Sequence, residues 1–347
     1  MRRVRRALRT VLDAGRRRAG AGLVLVYHRV ADLPVDPWSV CVSPAHLAEH
    51  LEILARYARL LHAGDLVQRV AAGADSKRAV AVTFDDGYAD LLHAARPLLE
   101  RAGVPATMFI TTGAIDSREE FWWDAVERAL LHDRPLPPRL RLPLGHATGE
   151  WPVGDALRAA APAAGACAWR AWDPPPMQRA AVYVAVWNAL LGLATAARSR
   201  AVAELLAWAG LDAYARPSHR TLREQELRAL AAGDLVEIGA HTVTHPVLAA
   251  LPPAEQDAEV IGSRDTLRST LGRNVRTFAF PFGKPEHVGS RAGAAVRAAG
   301  FTTAFLNVTG TVTRDTDRYA VPRVFVEDMD GDAFGRLLWR SARIRIG

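Results

Sequence analysis

The sequence predicts an α/β fold built on a parallel sheet or barrel and broken once by a helical insertion. Three observations lead there. Short apolar runs rich in β-formers alternate with stretches of helical periodicity. The runs end in reactive polar side chains, at the strand ends where parallel sheets and barrels collect their chemistry. The alternation stops between about residues 117 and 217 and resumes near Arg220.

Taken in order, Leu23-Val-Leu-Val-Tyr27 reads as a buried strand ending at His28. Ser43-Pro44 opens a helix that carries Leu47, Leu51, Leu54 and Ala55 on one face, with Ser43 as its N-cap. Val80-Ala-Val-Thr-Phe84 is a second buried strand and runs into Asp85-Asp86-Gly87-Tyr88. A helix from Ala89 to Ala102 follows, stopped by Gly103, and Pro105–Ile110 is a third strand. From Ser117 to Pro217 the chain opens with Phe121-Trp122-Trp123, carries two proline clusters at 135–138 and 174–176, and is otherwise alanine-rich and helical. It holds tryptophans 122, 123, 151, 169, 172, 187 and 208, which serve as core or as a platform for sugar rings. Beyond it, Thr221-Leu-Arg-Glu224 has the form of a capping box before a helix. Leu235–Ile238 is a strand leading to His241, and Pro252-Pro253 starts a long helix that Gly272 stops. Thr277–Phe280 is a strand running into Pro281-Phe282-Gly283. Ala294–Ala299 is helical, and Thr302–Leu306 and Val321–Val326 are the last strands.

Composition narrows the function classes. With 347 residues, 50% of them hydrophobic and 23% charged, the chain is neither disordered nor low-complexity. No run approaches the ~18 apolar residues of a membrane-spanning helix. Cys41 and Cys167 make neither a disulfide framework nor a cysteine zinc site. The net charge of +7 belongs to residues 1–20, which hold eight arginines against Asp13, so the body is neutral. A smaller basic cluster, Arg336, Arg340, Arg343 and Arg345, closes the chain. Val4, Leu8, Val11 and Leu12 share one helical face but are interrupted by Arg5, Arg6, Arg9 and Asp13. That suits a basic amphipathic helix resting on anionic lipid and not a cleaved export signal. The expectation is a cytoplasmic protein, peripheral to the inner membrane, with no nucleic-acid partner, since no aromatic residue interleaves with the N-terminal arginines.

Two strand ends carry the chemistry and a third supports it. Two adjacent carboxylates directly after a buried strand, Asp85 and Asp86, need a cation or a strong hydrogen-bond network. A helix cap would account for one of them and leave the other without a role. His241-Thr-Val-Thr-His245-Pro246 places two histidines four apart, and Pro246 favours a turn over a helix there. With Asp86 they form two imidazoles and one carboxylate, a three-ligand set with an open fourth position. Zinc held this way lowers the pKa of bound water to ~7 and polarises a carbonyl; cobalt and nickel suit the same ligands. Phe280-Pro281-Phe282-Gly283 is a turn able to aim a backbone N–H at a developing oxyanion.

Thr83-Phe-Asp85-Asp86-Gly87-Tyr88, His241-Thr-Val-Thr-His245-Pro246 and Phe278-Ala-Phe-Pro281-Phe282-Gly283 resemble the first three motifs of the polysaccharide deacetylases, the NodB-homology family or carbohydrate esterase family four. The resemblance covers roughly residues 22–115 and 218–326. It implies a distorted (β/α) barrel over residues 21–347, with the helical insertion at about 117–217. It also implies a hydrolase that removes N-acetyl, or less often O-acetyl, groups from a polysaccharide, oligosaccharide or lipid-linked sugar with one divalent metal, usually zinc. By motif position, Asp86, His241 and His245 would be metal ligands and Asp85 the general base, and the Phe282 N–H would hold the oxyanion. The sequence departs from the family in lacking the late Leu-x-His motif, and no histidine follows His287. Val26-Tyr27-His28-Arg29-Val30 resembles instead the start of the circularly permuted poly-N-acetylglucosamine deacetylase branch, which makes His28 the general acid. Arg323, in Val321-Pro-Arg-Val324, and Arg276 are candidates to orient Asp85 or bind substrate. An amidohydrolase acting on a non-sugar amide and an inactive glycan-binding relative are the alternatives.

Overall fold

The computed structural model describes residues 21–132, 134–153 and 169–342. The basic segment 1–20, Cys167, Arg343 and Arg345 lie outside them. Among the described residues no helix is long and apolar enough to cross a membrane.

The strands are β1 (Leu23–Tyr27), β2 (Arg29–Val30), β3 (Cys41–Val42), β4 (Arg59–Leu60), β5 (Ala79–Phe84), β6 (Ala106–Ile110), β7 (Arg139–Leu144), β8 (Ala147–Pro152), β9 (Val236–Ala240), β10 (Thr277–Ala279), β11 (Thr303–Phe305) and β12 (Val324–Phe325). One parallel sheet runs in the order β11-β10-β9-β6-β5-β1-β12, with β4 also beside β5. It curls until a parallel bridge joins Phe305 to Val321, just ahead of β12, and so completes the ring. This is the distorted (β/α) barrel that the sequence implied.

The period of two along each strand sorts side chains between two cores. Leu23, Leu25, Tyr27, Val80, Val82, Phe84, Met108 and Ile110 pack outward with the surrounding helices. Val24, Ala79, Ala81, Phe109, Ala279 and Phe305 form a second cluster inside the ring. Leu66, Val67 and Val70 of the Ala63–Ala71 helix join that inner cluster from the strands' N-terminal side. The interior is narrow. At Gly239 a Cβ would sit 2.4 Å from Cδ1 of Phe109, so the strand needs glycine there. Continuing the same alternation past the last rung sends Asp85 inward after Ala81 and Thr83, and His241 inward after Glu237 and Gly239. Arg323 points inward because its neighbour Val324 packs outward.

Several elements stand where the sequence placed them. β1 has the expected bounds, Ser43 Oγ accepts from the His46 N–H at 3.2 Å, and the Pro253–Leu271 helix ends at Gly272 in the left-handed region. Others differ. The helix after Asp86 begins with a π-helical turn, Leu91–Ala95, before Arg96–Ala102. Thr221 does not cap the Glu224–Leu230 helix, because its hydroxyl donates to the Ala114 carbonyl at 2.5 Å. Arg223 occupies the cap position, and the Glu226 carboxylate accepts its N–H at 2.9 Å.

The 117–217 region is not all helix. Besides the helices Trp122–Leu130, Gln178–Leu191 and Thr195–Trp208 it contains the antiparallel hairpin β7–β8. Buried Leu140 and Leu142 alternate there with exposed Arg139 and Arg141, and Gly145 takes the left-handed turn position at φ 72°. The region has its own hydrophobic cluster, with Trp122, Val126, Leu140, Tyr183, Trp187 and Leu205 among its members.

Candidate active site

The site is assembled at the C-terminal ends of β5, β9 and β10 and at the entry to β12. Asp85 follows β5 and stays in register with the sheet, its N–H donating to the Tyr27 carbonyl at 3.1 Å. Asp86 turns sharply, at φ 73°, with its carbonyl accepting from Thr111 N–H at 3.1 Å. His241 extends β9, its N–H bonded to the Ile110 carbonyl at 3.0 Å. The chain then makes a turn through Thr242 at φ 64° and His245 at φ 53°, which brings the second imidazole back over the first. The expected turn, rather than a helix, connects the two histidines.

Asp86, His241 and His245 converge, each offering one ligand atom within 4.8 Å of the others, and all three are buried. His241 Nδ1–H donates to the Ala279 carbonyl at 2.7 Å, which turns Nε2 toward Asp86. Nε2 of His241 lies 3.6 Å from Asp86 Oδ1, and Nε2 of His245 lies 3.4 Å from the same oxygen. These gaps exceed a good hydrogen bond. They match the ~3.3 Å edge of a tetrahedron of ligands about 2.0–2.1 Å from zinc. Burial pushes the Asp86 carboxyl up, but the two histidines outweigh it and hold it well below the carboxylate range. Burial pulls His245 down to about 4, so it presents a neutral imidazole at physiological pH. A carboxylate and two imidazoles, spaced as ligands, fit a divalent cation.

Asp85 stands beside this set and is held by Arg323. Nη1 and Nη2 of Arg323 each donate at 2.7 Å, to Oδ1 and Oδ2 respectively, and Nε donates to the Leu306 carbonyl at 2.9 Å. The pair is fully buried; Arg323 is 1% exposed. Burial favours the neutral acid, but Arg323, His241 and His28 prevail and keep the Asp85 carboxyl below its ordinary range. His28 reaches the same carboxylate, with Nε2 4.0 Å from Oδ2, while its buried Nδ1 has no partner among the described residues. Phe282 sits at φ 58° with its ring 4.8 Å from that of His245. Its backbone N–H makes no hydrogen bond to the described residues.

The sequence-predicted residues Asp85, Asp86, His241, His245, His28, Phe282 and Arg323 are thus brought together. Arg276 is not. It is exposed and precedes β10, at the opposite end of the strand from the site, so it neither orients Asp85 nor lines the cavity.

Sequence reasoning missed the supporting residues. Glu259, in the middle of the Pro253–Leu271 helix, accepts the N–H groups of Val243 and Thr244 at 2.8 Å each and the Thr244 hydroxyl at 2.6 Å. It clamps the histidine turn, and nothing in a lone helical glutamate signals that. Gly113 lets the next loop approach the same turn, its N–H bonding the Val243 carbonyl at 2.8 Å where a Cβ would collide. Trp123 packs 4.7 Å from the His245 ring and donates to Tyr88 OH at 2.8 Å, which in turn donates to Asp124 at 2.6 Å. The aromatic run at the start of the 117–217 region therefore walls the metal-type cluster.

The barrel and these three strand-end motifs define the polysaccharide deacetylase class. The chain belongs to the polysaccharide deacetylase family, whose model matches residues 72–132 and 194–304. No curated protein sequence matches it. Among solved structures it is similar to the Streptococcus pyogenes deacetylase PplD in complex with acetate, at 14% identity over 90% of this chain and 95% of that one, TM-score 0.55. It is also similar to IcaB from Ammonifex degensii, at 18% identity over 93% and 97%, TM-score 0.54. A de-N-acetylase from Aggregatibacter actinomycetemcomitans is 15% identical over 88% and 95%, TM-score 0.52. At these identities the likeness is one of fold.

Proposed function

We propose that this protein is a metal-dependent hydrolase that removes N-acetyl groups from a polysaccharide, an oligosaccharide or a lipid-linked amino sugar. The observation that carries the reading is the meeting of Asp86, His241 and His245 around one point, with the Asp85–Arg323 pair alongside. Family membership and the fold shared with a de-N-acetylase support it.

Asp86, His241 and His245 would hold the divalent ion, zinc in the first instance, with cobalt or nickel accommodated by the same donors. When bound, the ion supplies Lewis-acid polarisation of the amide carbonyl and acidifies a water. Asp85 is the base. Arg323 keeps it ionised at neutral pH, and each oxygen retains a lone pair beyond the guanidinium bond. The Phe282 N–H receives the charge that develops on the carbonyl oxygen. His28, with Nε2 4.0 Å from Asp85 Oδ2, hands a proton to the departing amine. The resemblance of Val26-Tyr27-His28-Arg29-Val30 to the start of the poly-N-acetylglucosamine deacetylase branch supports this role for His28.

The test is acetate release from N-acetylglucosamine oligomers by purified, zinc-loaded protein. Activity should vanish on chelation, return with zinc, and fall about 10²–10⁴-fold in His28→Ala and Asp85→Asn. Full activity in His28→Ala would remove it from the acid role. A zinc-loaded protein that releases no acetate from the oligomers or from their lipid-linked form overturns the reading.

A further inference from the structure

The two histidines of the cluster are secured differently. His241 donates from Nδ1 to the Ala279 carbonyl at 2.7 Å, the kind of bond that fixes a ligating imidazole. His245 has no such bond: its Nδ1 is buried and makes no hydrogen bond to the described residues. Glu259 holds the turn through the Val243 and Thr244 N–H groups and the Thr244 hydroxyl, and makes no bond to the His245 imidazole. What encloses that ring is aromatic. Trp123 is 4.7 Å away between centroids, Phe282 4.8 Å and Phe121 6.4 Å, at inclinations of 60°, 73° and 59°.

Trp123 has a polar anchor of its own. Its Nε1–H donates to the Tyr88 hydroxyl at 2.8 Å, and that hydroxyl donates to Asp124 Oδ2 at 2.6 Å. Phe121 stacks on the Trp123 ring at 4.5 Å and 8°, and meets Tyr88 edge-on at 5.0 Å. The Arg29 guanidinium carbon lies 4.1 Å from the Tyr88 ring centroid, and its Nε donates to Asp90 at 3.0 Å. Tyr88 and Asp124 are buried, so neither has water as an alternative partner. Adjacent helical residues point about 100° apart. Trp122 can therefore join the core of the 117–217 region while Trp123 reaches the histidine.

We propose that Trp123 is a positioning residue for His245, held in place by the Tyr88 hydroxyl and, through it, by Asp124. An inclined ring pair at this distance is favourable but less directional than a hydrogen bond, so the imidazole plane is only as fixed as the indole that faces it. The two hydrogen bonds fix the indole. The 117–217 region thus takes part in the metal-type cluster as well as covering it: it gives His245 by ring contact what the Ala279 carbonyl gives His241. The inference rests on the reading of Asp86, His241 and His245 as metal ligands, and it holds whichever substrate is hydrolysed.

The experiment measures the zinc affinity of the full chain by competition with a chromophoric chelator, and the thermal midpoint of the metal-free protein. Trp123→Leu and Tyr88→Phe should each weaken zinc binding about tenfold or more. Without the indole the Tyr88 hydroxyl has nothing to hold, so the double variant should bind no more weakly than Trp123→Leu alone. Asp124→Asn keeps an acceptor for the Tyr88 hydroxyl and should retain wild-type affinity, whereas Asp124→Leu should not. Tyr88→Phe removes a single oxygen and decides alone if Trp123→Leu does not fold. Wild-type zinc affinity in Trp123→Leu, Tyr88→Phe or Asp124→Leu overturns the inference even where the thermal midpoint falls, and so do losses that multiply in the double variant. His241→Ala separates this outcome from failure of the metal reading. It should lose zinc binding; if it binds zinc as tightly as the wild type, the ion sits elsewhere and both readings fall.

Discussion

At the scale of single residues, the site is built from conformations that side chains usually avoid. Asp86, Thr242, His245 and Phe282 all have φ between 53° and 73° without being glycine. Each such residue costs on the order of 1–3 kcal/mol unless its surroundings hold it. Here the Thr111 N–H, the Glu259 carboxylate and the Asn307 N–H, which bonds the Gly283 carbonyl at 2.9 Å, do so. The motif residues were legible because paired carboxylates and paired histidines at strand ends have few other uses. Arg323 was legible only as one of two candidates, since arginine at a strand boundary is usually solvated. Its bidentate bond to Asp85 makes a prediction. Arg323→Lys keeps the charge but not the planar fork. Asp85 should then titrate closer to an ordinary carboxylate, and the acid limb of the kcat/KM profile should move to higher pH, with kcat/KM down about 10–100-fold. An unmoved acid limb would mean that the fork does not tune the base.

At the scale of elements, the strands were easier to read than the parts that support them. Continuous apolar runs bounded by Gly and Pro identify buried parallel strands directly. The β7–β8 hairpin was hidden because its leucine–arginine alternation is brief and lies within an alanine-rich stretch that reads as helix. The capping box went to Arg223 because Thr221 found a tertiary partner in Ala114, which no local pattern encodes. Glu259 shows the same limit, being a helix residue whose work is done on a loop 15 residues back. Glu259→Ala strips the acceptor from two half-buried N–H donors and the Thr244 hydroxyl, at a cost of about 1–3 kcal/mol. Because the turn it releases carries His245, zinc affinity should fall about 10–100-fold, as expected when a ligand's support is removed. A competitive chelator titration measures this, and wild-type zinc affinity in the variant would show the turn to be held without it.

At the scale of the whole molecule, buried ionisable groups set opposing limits on stability. His50 is enclosed between Tyr27, the Met329 carbonyl and the Phe334 ring, whose centroid is 4.0 Å away, and burial lowers it to about 4 from 6.5. Burial and nearby arginines lower His219 to about 2. For both, the unfolded chain takes up the proton first, so their contribution is complete above pH 6.5 and shrinks as pH falls below it. Asp124 works the other way. Burial raises it to about 8 from 3.8, so the folded chain keeps its proton and the contribution fades as pH rises through that window. The thermal midpoint should therefore peak near neutrality. Asp124→Asn should flatten the limb from pH 6.5 to 8, and His50→Gln the limb from 6.5 down to 4. Unchanged limbs in both would place the pH dependence elsewhere. By itself the sequence determined the strand order of chemistry, the ligand types and the barrel class, because apolar periodicity and motif residues are local quantities. Only the tertiary structure decided that Arg323 and not Arg276 meets Asp85 and that Glu259 holds the histidine turn. Those are matters of which groups share a dry space, and no spacing along the chain specifies that.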